Sequence, residues 1–276
     1  MGFAKTLFAL NFKISDFFTR AIGLASHGRF LHTNRPYFAG RVRSAMAKAA
    51  ELFPERPLRV LDIGCGRYSF LEAMKDIHPL IEPYGMDVSE TELQENTFVK
   101  QKIVFDTCDS GYEQALAGRR EFFHVVISHD FLEHVPNPNL THSVINFMLK
   151  AGGFAVHSYP TLFDPLNAAA HCIPESLARA ILYRLEPGRS RSGKFKTYYR
   201  NCRAFSPRLR AWYENHGFAC LDHRDFYGTA YLYPVFPAQV ALDIFYWMAL
   251  KARCRTFTSY SIISLQKREQ IQGANS

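Results

Sequence analysis

The chain has 276 residues and a formal net charge of +8. Apolar residues make up 47% of it and charged residues 21%, a balance that excludes collagenous, low-complexity and wholly disordered proteins. We interpret this length as one α/β domain with insertions. The six cysteines form no CxxC pair, so the sequence indicates neither a zinc ribbon nor a disulfide framework. No metal ligand is predicted, and a reducing cytoplasm is the expected location.

Charge is segregated along the chain. Residues 1–50 carry a net charge of +7, residues 51–150 carry −7 and residues 151–276 carry +8. Residues 184–210 alone hold nine Lys or Arg side chains against the single acid Glu186. Basic segments attract phosphate on nucleic acid, lipid headgroups or a phosphorylated substrate. This basic run is therefore interpreted either as a solvated face or as a recognition site for an anionic acceptor.

The amino-terminal segment repeats apolar residues at helical spacing: Phe3, Leu7, Leu10, Ile14, Phe17, Phe18 and Ala21. This spacing predicts an amphipathic helix that either packs on the domain or lies on a membrane surface. A second helix is predicted from about Tyr37 to Leu52. The two helices form a leading region over residues 1–56.

Strand and helix signals alternate after Pro57. Strands are predicted at 59–63, 82–87, 102–105, 122–128 and 153–159, and helices at 69–77 and 139–150. This alternation predicts a parallel, doubly wound sheet over residues 57–160. All strands of such a sheet would end at one edge, where ligands bind.

The second half of the chain interrupts this rhythm twice. Residues 161–205 are predicted to be a basic insertion that covers the ligand edge. Residues 206–268 complete the core with a helix at 206–216 and strands at 218–226 and 259–265. Within them, residues 227–256 form a second insertion with a nearly all-apolar helix at 238–250. Residues 269–276 are expected to be a flexible tail.

The segment VLDIGCG, from Val60 to Gly66, places two glycines between a buried strand and a predicted helix. Glycine lets backbone approach a ligand closely, because no side chain intervenes. Asp87 ends the next strand, where a carboxylate can accept both hydrogen bonds of a ribose diol. The pattern therefore predicts an adenosine-containing cofactor.

With these motifs the sequence resembles the class I S-adenosylmethionine-dependent methyltransferases. The resemblance continues through GMDVS, FFHVVISHDFLEHVPNP and LKAGGFAVHSYP, so that it covers about residues 58–160, and it fits residues 206–265 more loosely. It implies a doubly wound, mostly parallel seven-stranded sheet of Rossmann-like type. Helical insertions are then expected after strand 5 and between the last two strands. A dinucleotide oxidoreductase is disfavoured, because Tyr68 stands where its fingerprint keeps a third glycine and LEH follows the fourth strand.

The resemblance also implies the cofactor, S-adenosyl-L-methionine, and residues to bind it. Its amino-acid part would lie against the first strand and glycine turn, its ribose on the acid after the second strand, and its adenine between the residues that follow the second and third strands. Asp106 or Asp109 could take the third-strand position, and we prefer Asp109. The cofactor-binding set is thus Asp62, Gly64, Gly66, Asp87, Val88, Asp109, Ser128 and His129. His124 replaces the aspartate usual in the fourth strand.

Methyl transfer is an in-line displacement at a sulfonium methyl, so a general base is needed only when the nucleophile must lose a proton. For a hydroxyl acceptor, His134 and His129 are the catalytic candidates, since imidazole titrates near neutrality. His134 could instead organise the loop that follows. Asp130 and Glu133 are interpreted as acceptors for backbone N–H groups at a helix start.

The leading hypothesis is O-methylation of a lipid-linked, glycan or other lipophilic acceptor at the cytoplasmic membrane surface, with an anionic membrane as partner. The alternative is a soluble methyltransferase of a small natural product, in which aromatic segments, such as YLYPVF at 231–236 in the second insertion, line a pocket or a dimer interface. An RNA methyltransferase is disfavoured, because no RNA-binding module is recognisable. A broken cofactor turn would favour a binding protein without catalysis. Tyr68 is the one residue that points to such a change.

Overall fold

The computed structural model describes residues 31–174, 196–229 and 235–269, with a few single positions outside these ranges. Its centre is a seven-stranded sheet of order β3-β2-β1-β4-β5-β7-β6. The strands are β1 (Leu58–Ile63), β2 (Ile81–Asp87), β3 (Gln101–Val104), β4 (Phe123–His129), β5 (Leu149–Pro160), β6 (Phe218–Phe226) and β7 (Tyr260–Lys267). The predicted fold class, a doubly wound and mostly parallel sheet, is confirmed.

Strand β7 runs antiparallel to both of its neighbours. Tyr260, at its amino end, pairs with Pro160 at the end of β5 and with Phe226 at the end of β6. The expectation that all strands end at one edge is therefore wrong for β7. The connection from β6 leaves and re-enters the sheet at the same edge, so the returning strand must reverse its direction. Both ends of the second insertion consequently lie at the ligand edge.

Helices cover both faces of the sheet. They are α1 (Leu31–Leu52), α2 (Glu90–Glu95), α3 (Tyr112–Ala115), α4 (Pro138–Met148), α5 (Pro165–Cys172), α6 (Pro207–Asn215) and α7 (Phe236–Lys251). Helix α1 packs Phe38 and Val42 against Val60 and Val125 on one face. The opposite face buries residues of α4 and α6, among them Ile145, Met148, Leu209 and Tyr213. Burial on both faces explains why the parallel strands are nearly continuous apolar runs.

Two predicted helices differ from the structure. Helix α1 begins at Leu31 rather than Tyr37 and contains Pro36, whose fixed φ suits a helix and whose missing N–H removes one hydrogen bond near the helix start. The helix predicted at 69–77 is replaced by two short 3₁₀ helices, Phe70–Ala73 and Lys75–Leu80. Met74, with φ −101° and ψ 64°, separates them.

The first insertion returns across the ligand edge as the segment 196–205, which we call the strap. The N–H groups of Tyr198 and Tyr199 donate to the carbonyl of Glu133, at 2.7 and 3.1 Å. Leu162 N–H donates to the Cys202 carbonyl at 2.8 Å. The strap is thereby hydrogen-bonded to the segments that follow β4 and β5. Most of residues 175–195, the predicted amino-terminal helix and the predicted flexible tail lie outside the described residues.

Helix α7 confirms the predicted helical insertion between the last two strands. The Tyr246 hydroxyl donates to Asp164, which also accepts hydrogen bonds from two N–H groups at the start of α5. The two insertions are thus joined to each other. In the part of the chain that the structure describes, no helix combines the length and the apolar character needed to cross a bilayer.

Candidate active site

The glycine turn after β1 is joined to the end of β2. Gly64 and Gly66 adopt the left-handed region, with φ of +72° and +48°. Gly64 N–H donates to the Met86 carbonyl at 2.7 Å, and Gly66 N–H donates to Asp87 Oδ2 at 3.0 Å. The turn therefore fixes the orientation of the Asp87 carboxylate.

The space beside Gly64 is occupied by an aromatic ring. A Cβ atom at Gly64 would lie 2.4 Å from Cδ2 of Phe131. A Cβ atom at Gly66 would lie 3.2 Å from Glu92 Oε2. From the sequence alone, both glycines are explained by close approach of a ligand. In the structure the side of Gly64 that a Cβ would occupy faces Phe131, so its positive φ and this ring already require glycine.

Gly64→Ala is expected to lower the free energy of unfolding by about 2 kcal/mol or more, because alanine is strained at positive φ and its methyl group overlaps Phe131. Urea denaturation measures the change. Gly40→Ala is the matched control: Gly40 lies inside α1 with nothing within 4 Å of a Cβ, so alanine there should maintain or raise stability. Equal stability of Gly64→Ala and the wild type would contradict this account of the turn.

Asp87 is buried at the carboxyl end of β2, and each of its oxygens accepts one backbone hydrogen bond. Oδ2 accepts from Gly66 and Oδ1 accepts from Ser89 N–H at 2.9 Å. Each oxygen keeps a lone pair, so the carboxylate could still accept the two hydroxyls of a ribose. Val88, the next residue, is 56% exposed and offers an apolar surface beside it.

Asp106 and Asp109, the two acids that follow β3, make the same kind of local hydrogen bond and are both open to solvent. Asp106 Oδ1 accepts from Cys108 N–H at 2.8 Å, and Asp109 Oδ1 accepts from Gly111 N–H at 2.7 Å. Both side chains are exposed in the loop that begins at the carboxyl end of β3. The preference for Asp109 as the adenine contact stays a prediction.

Asp62 is a buried carboxyl group under the glycine turn. Its Oδ2 accepts hydrogen bonds from Ser69 Oγ at 2.7 Å and Phe70 N–H at 3.0 Å. Burial raises the pKa of Asp62 to about 7, with the charge of Asp87 adding to the rise and the two hydrogen bonds opposing it. Near neutral pH this side chain can therefore exchange a proton, and its ionised form could pair with an ammonium group.

Because the pKa of Asp62 is raised in the folded protein, its titration makes the free energy of unfolding depend on pH. The folded state binds the proton more tightly than the unfolded state, so the stabilisation from the protonated carboxyl is complete below about pH 4 and is lost as the pH rises through about 7. Relative to the wild type, Asp62→Asn should therefore gain on the order of 4 kcal/mol between pH 4 and pH 8. Urea unfolding of the ligand-free proteins at several pH values measures this difference. A constant difference between them would contradict the prediction.

His129, the last residue of β4, lies between two aromatic rings. Phe70 stacks on the imidazole at a centroid distance of 4.9 Å, and Phe38 lies at 5.4 Å. The ring atom Nδ1 is 3.3 Å from Asp130 Oδ2, whereas Nε2 is buried without a hydrogen-bond partner among the described residues. Burial lowers the pKa of His129, so the ring is neutral at neutral pH.

His134 joins the loop after β4 to the strap. Its Nδ1 donates to the Lys196 carbonyl at 3.0 Å, and its Nε2 lies 3.7 Å from Glu133 Oε1. Both ring nitrogens therefore face protein groups. This geometry favours the loop-organising interpretation of His134 over the catalytic one.

The interpretation of Asp130 and Glu133 as helix-capping acids is wrong. Asp130 has a φ of +54° and directs one oxygen towards His129. Glu133 is buried, and burial together with the charge of Asp130 raises its pKa well above the ordinary value. Among the described residues, Asp130 Oδ1 and Glu133 Oε2 accept no hydrogen bond. The short 3₁₀ helix Leu132–His134 begins without a side-chain cap.

Ser128 and His124 lie elsewhere on β4. Ser128 Oγ is buried and hydrogen-bonds to His157 Nδ1 at 2.8 Å. Because successive side chains of a strand point to opposite faces, Ser128 and His129 lie on opposite faces of the sheet. His124, near the amino end of β4, accepts from Arg59 N–H and lies 3.7 Å from Glu55. Burial lowers the pKa of His124 to about 4. His124 lies at the opposite end of β4 from the ligand edge, and the assignment of Ser128 to the cofactor stays a prediction.

Buried polar atoms without a hydrogen-bond partner cluster at the ligand edge. Of the eleven such side-chain atoms in the described residues, seven belong to residues at the carboxyl ends of β4, β5 and β6 or just before β7. They are His129 Nε2, Asp130 Oδ1, Glu133 Oε2, Ser158 Oγ, Asp225 Oδ2, Thr229 Oγ1 and Thr258 Oγ1. Asp225 Oδ2 has the Arg255 guanidinium 3.5 Å away, whereas the other six have no such partner among the described residues. An unpartnered buried polar group is costly, so the concentration of these six fits a site that binds a polar ligand.

The sequence of the chain matches the family described as methyltransferase domain over residues 31–223, more than half of its length. The chain belongs to this family. The glycine turn and the Asp87 carboxylate fit S-adenosylmethionine, the cofactor that the sequence resemblance implies.

Two curated relatives are ubiquinone biosynthesis O-methyltransferases. The one from Shewanella sp. (strain ANA-3) is 32% identical over 106 residues, which are 36% of this chain and 42% of the relative. The one from Bartonella quintana (strain Toulouse) is 27% identical over 134 residues, 46% of this chain and 53% of the relative. The chain spans about half the length of these curated relatives.

Solved structures of S-adenosylmethionine-dependent methyltransferases are also similar. The Archaeoglobus fulgidus protein is 20% identical with a TM-score of 0.46, and the match covers 82% of this chain and 94% of that one. The Mesorhizobium loti protein is 17% identical with a TM-score of 0.47, and the match covers 80% and 96%.

Sequence reasoning missed three parts of the methyltransferase site: the Phe131 ring beside Gly64, the Phe38 and Phe70 rings around His129, and the hydrogen bonds of the strap. The high aromatic content of 14% signalled aromatic-rich segments but could not say which rings meet. These contacts join residues far apart in the chain, so no local pattern reveals them.

Proposed function

We propose that the methyltransferase transfers a methyl group to a hydroxyl oxygen of a lipid-linked, glycan or other lipophilic acceptor at the cytoplasmic membrane surface. The observation that carries the oxygen assignment is the His129–Asp130 pair at the end of β4, because a hydroxyl must lose its proton in the transfer. The curated relatives, which are O-methyltransferases by name, support this assignment.

In this proposal the cofactor lies across the carboxyl ends of β1 to β4 and supplies an activated methyl group on a sulfonium. Asp62 and the glycine turn would hold its amino-acid part, the carboxylate of Asp62 pairing with the ammonium. Asp87 would accept hydrogen bonds from the ribose hydroxyls, with Val88 and Asp109 beside the adenine. The left-handed turn keeps the Asp87 carboxylate in place through Gly66 N–H.

His129 would serve as the general base. The carboxylate of Asp130 lies beside Nδ1 and favours the tautomer with its proton there, which leaves the lone pair on Nε2 free to take a proton. The stacked ring of Phe70 and the tilted ring of Phe38 restrict rotation of the imidazole. His134 would act as a positioning residue, since it holds the strap over the edge.

The strap offers features suited to an acceptor that carries both apolar and anionic parts. Lys196 Nζ lies 5.2 Å from the ring centre of Tyr198, and the Arg203 guanidinium lies 5.3 Å from that of Phe163. Cations above aromatic rings present charge and apolar surface together. The part of the basic run between residues 184 and 195 lies outside the described residues.

Mass spectrometry of a deletion strain tests the proposal. The acceptor pool should contain one species lighter by a single methyl group than in the parent strain, and that species should be lipophilic. Incubation with purified enzyme and S-adenosylmethionine should restore the missing mass on oxygen. A water-soluble small molecule as the altered species would replace this proposal with the natural-product alternative, and methylated RNA would replace it with an RNA methyltransferase.

A further inference from the structure

Helix α7 reverses the usual distribution of polar and apolar side chains. Its buried positions include Gln239 and Asp243, which are 0% and 3% exposed. Its outward positions carry Ile244, Trp247 and Met248, which are 43%, 36% and 50% exposed. A helix on the surface of a water-soluble protein normally presents its polar side to solvent. The exposed side chains share one helical face through the spacing of three and four residues.

Hydrogen bonds fix the helix in this orientation. Gln239 Nε2 donates to the Thr229 carbonyl and to Asp243 Oδ1, both at 2.8 Å. The hydroxyl of Tyr246, on the same inner face, donates to Asp164. Rotation of α7 to bury its apolar side would leave these buried groups without partners, which is costly. The apolar face is therefore held outward by the structure.

The exposed charges in the stretch of chain that contains α7 are all basic. Lys251, Arg253 and Arg255 lie exposed at and just beyond the end of α7. Between residues 227 and 268 the only acid is Asp243, and it is buried. Lys251 Nζ lies 6.0 Å from the ring centre of Trp247. An apolar face with a tryptophan, bordered by cations and free of exposed carboxylates in this stretch, presents side chains that favour an anionic membrane interface.

We infer that the outward face of α7, together with Lys251 and Arg253, docks the enzyme on an anionic lipid bilayer. Ile244, Trp247 and Met248 enter the interface, while the basic side chains contact lipid phosphates. The connection that contains α7 leaves and re-enters the sheet at the ligand edge, so docking would bring that edge close to a lipophilic acceptor. In this benefit the inference rests on the proposed function. The docking itself requires no turnover.

Vesicle co-sedimentation of the full chain tests this docking face. The probes are vesicles of phosphatidylglycerol and phosphatidylcholine, and vesicles of phosphatidylcholine alone, at low and high salt. The wild type should bind the anionic vesicles, and raising the salt should weaken binding because the cationic part is screened. Trp247→Ser with Met248→Ser should weaken binding at least tenfold. Lys251→Glu with Arg253→Glu should weaken it comparably and remove most of the salt dependence.

Matched controls separate docking from general effects. Leu221→Ser removes an apolar residue on β6 that is 40% exposed, and Lys75→Glu with Lys100→Glu makes the same charge change far along the chain from α7. Both should bind vesicles like the wild type. Calorimetric binding of S-adenosylmethionine and unchanged thermal unfolding show that each variant is folded.

Three results would overturn the inference. The wild type could fail to bind anionic vesicles, or the α7 variants could bind them as well as their controls do. The third is that the α7 substitutions leave vesicle binding unchanged and alter only the oligomeric mass measured by light scattering. The last result would assign the face to contact between copies of the chain. Vesicle binding in a protein that methylates no lipophilic acceptor would leave the docking intact and contradict the proposed function alone.

Discussion

Replacing His129 with asparagine is expected to reduce turnover by about 10² to 10⁴ while leaving the affinity for S-adenosylmethionine near that of the wild type. An asparagine amide can still donate to Asp130 from the position of Nδ1, but it places nothing at the position of Nε2. The substitution therefore removes the proposed base and keeps a donor beside the neighbouring carboxylate. Steady-state kinetics with the acceptor and calorimetry with the cofactor measure the two effects separately.

His134→Asn is the matched control for this prediction. The amide can still donate to the Lys196 carbonyl, so the strap should stay in place and turnover should remain within about threefold of the wild type. If the two variants exchange these results, His134 is the base and His129 is not. Parallel losses of turnover, cofactor binding and thermal stability in His129→Asn would instead give this residue a structural role.

The pH profile gives a second test of the same residue. A general base works only when it is deprotonated, and burial lowers the pKa of His129 below its ordinary value of about 6.5. At saturating S-adenosylmethionine the bound ammonium keeps Asp62 ionised, so kcat/KM for the acceptor should fall at acid pH with a midpoint below 6.5 and stay flat from neutral pH upward. His129→Asn should abolish the acid limb of the profile.

The elements that could be predicted from sequence are those whose local pattern is strong. Strand β1 is a short, mostly apolar run followed by a turn with two glycines. Helix α6 follows the N-cap residue Ser206, whose hydroxyl accepts a hydrogen bond from Leu209 N–H, and it ends before Gly217. In such segments the side chains that determine the structure lie within a few residues of each other. The mostly parallel pairing of the sheet, though not the reversed β7, follows from the same signals, because parallel strands need crossover connections that are usually helical.

The parts that could not be predicted depend on contacts between distant segments. The helix expected at 69–77 is replaced because Asp62 binds Ser69 and Phe70 and because the backbone of Met74 leaves helical geometry. The aromatic enclosure of His129 joins α1 to the segment after β1. Chemistry-bearing residues could thus be named from the sequence, whereas their pKa values and partners required the folded chain.

Asp87→Ala is expected to weaken S-adenosylmethionine binding at least a hundredfold. In the proposed complex the carboxylate accepts two hydrogen bonds from the ribose, and hydrogen bonds to a charged group contribute about 1.5 to 3 kcal/mol each. The substitution also removes the acceptor of Gly66 N–H and Ser89 N–H, which loosens the glycine turn. Calorimetric titration with the cofactor and with its demethylated product measures the loss.

Two further variants make this result specific to the ribose contact. Glu90→Ala removes the same charge from an exposed position in the first turn of α2 and should bind the cofactor like the wild type. Asp87→Asn keeps one oxygen acceptor and nearly the same shape, so it should fold more stably than Asp87→Ala yet still lose affinity, because an amide group cannot accept hydrogen bonds at both of its terminal atoms. Full affinity in both Asp87 variants would mean that the carboxylate serves only the backbone of the turn, and the ribose would have to bind elsewhere along the ligand edge.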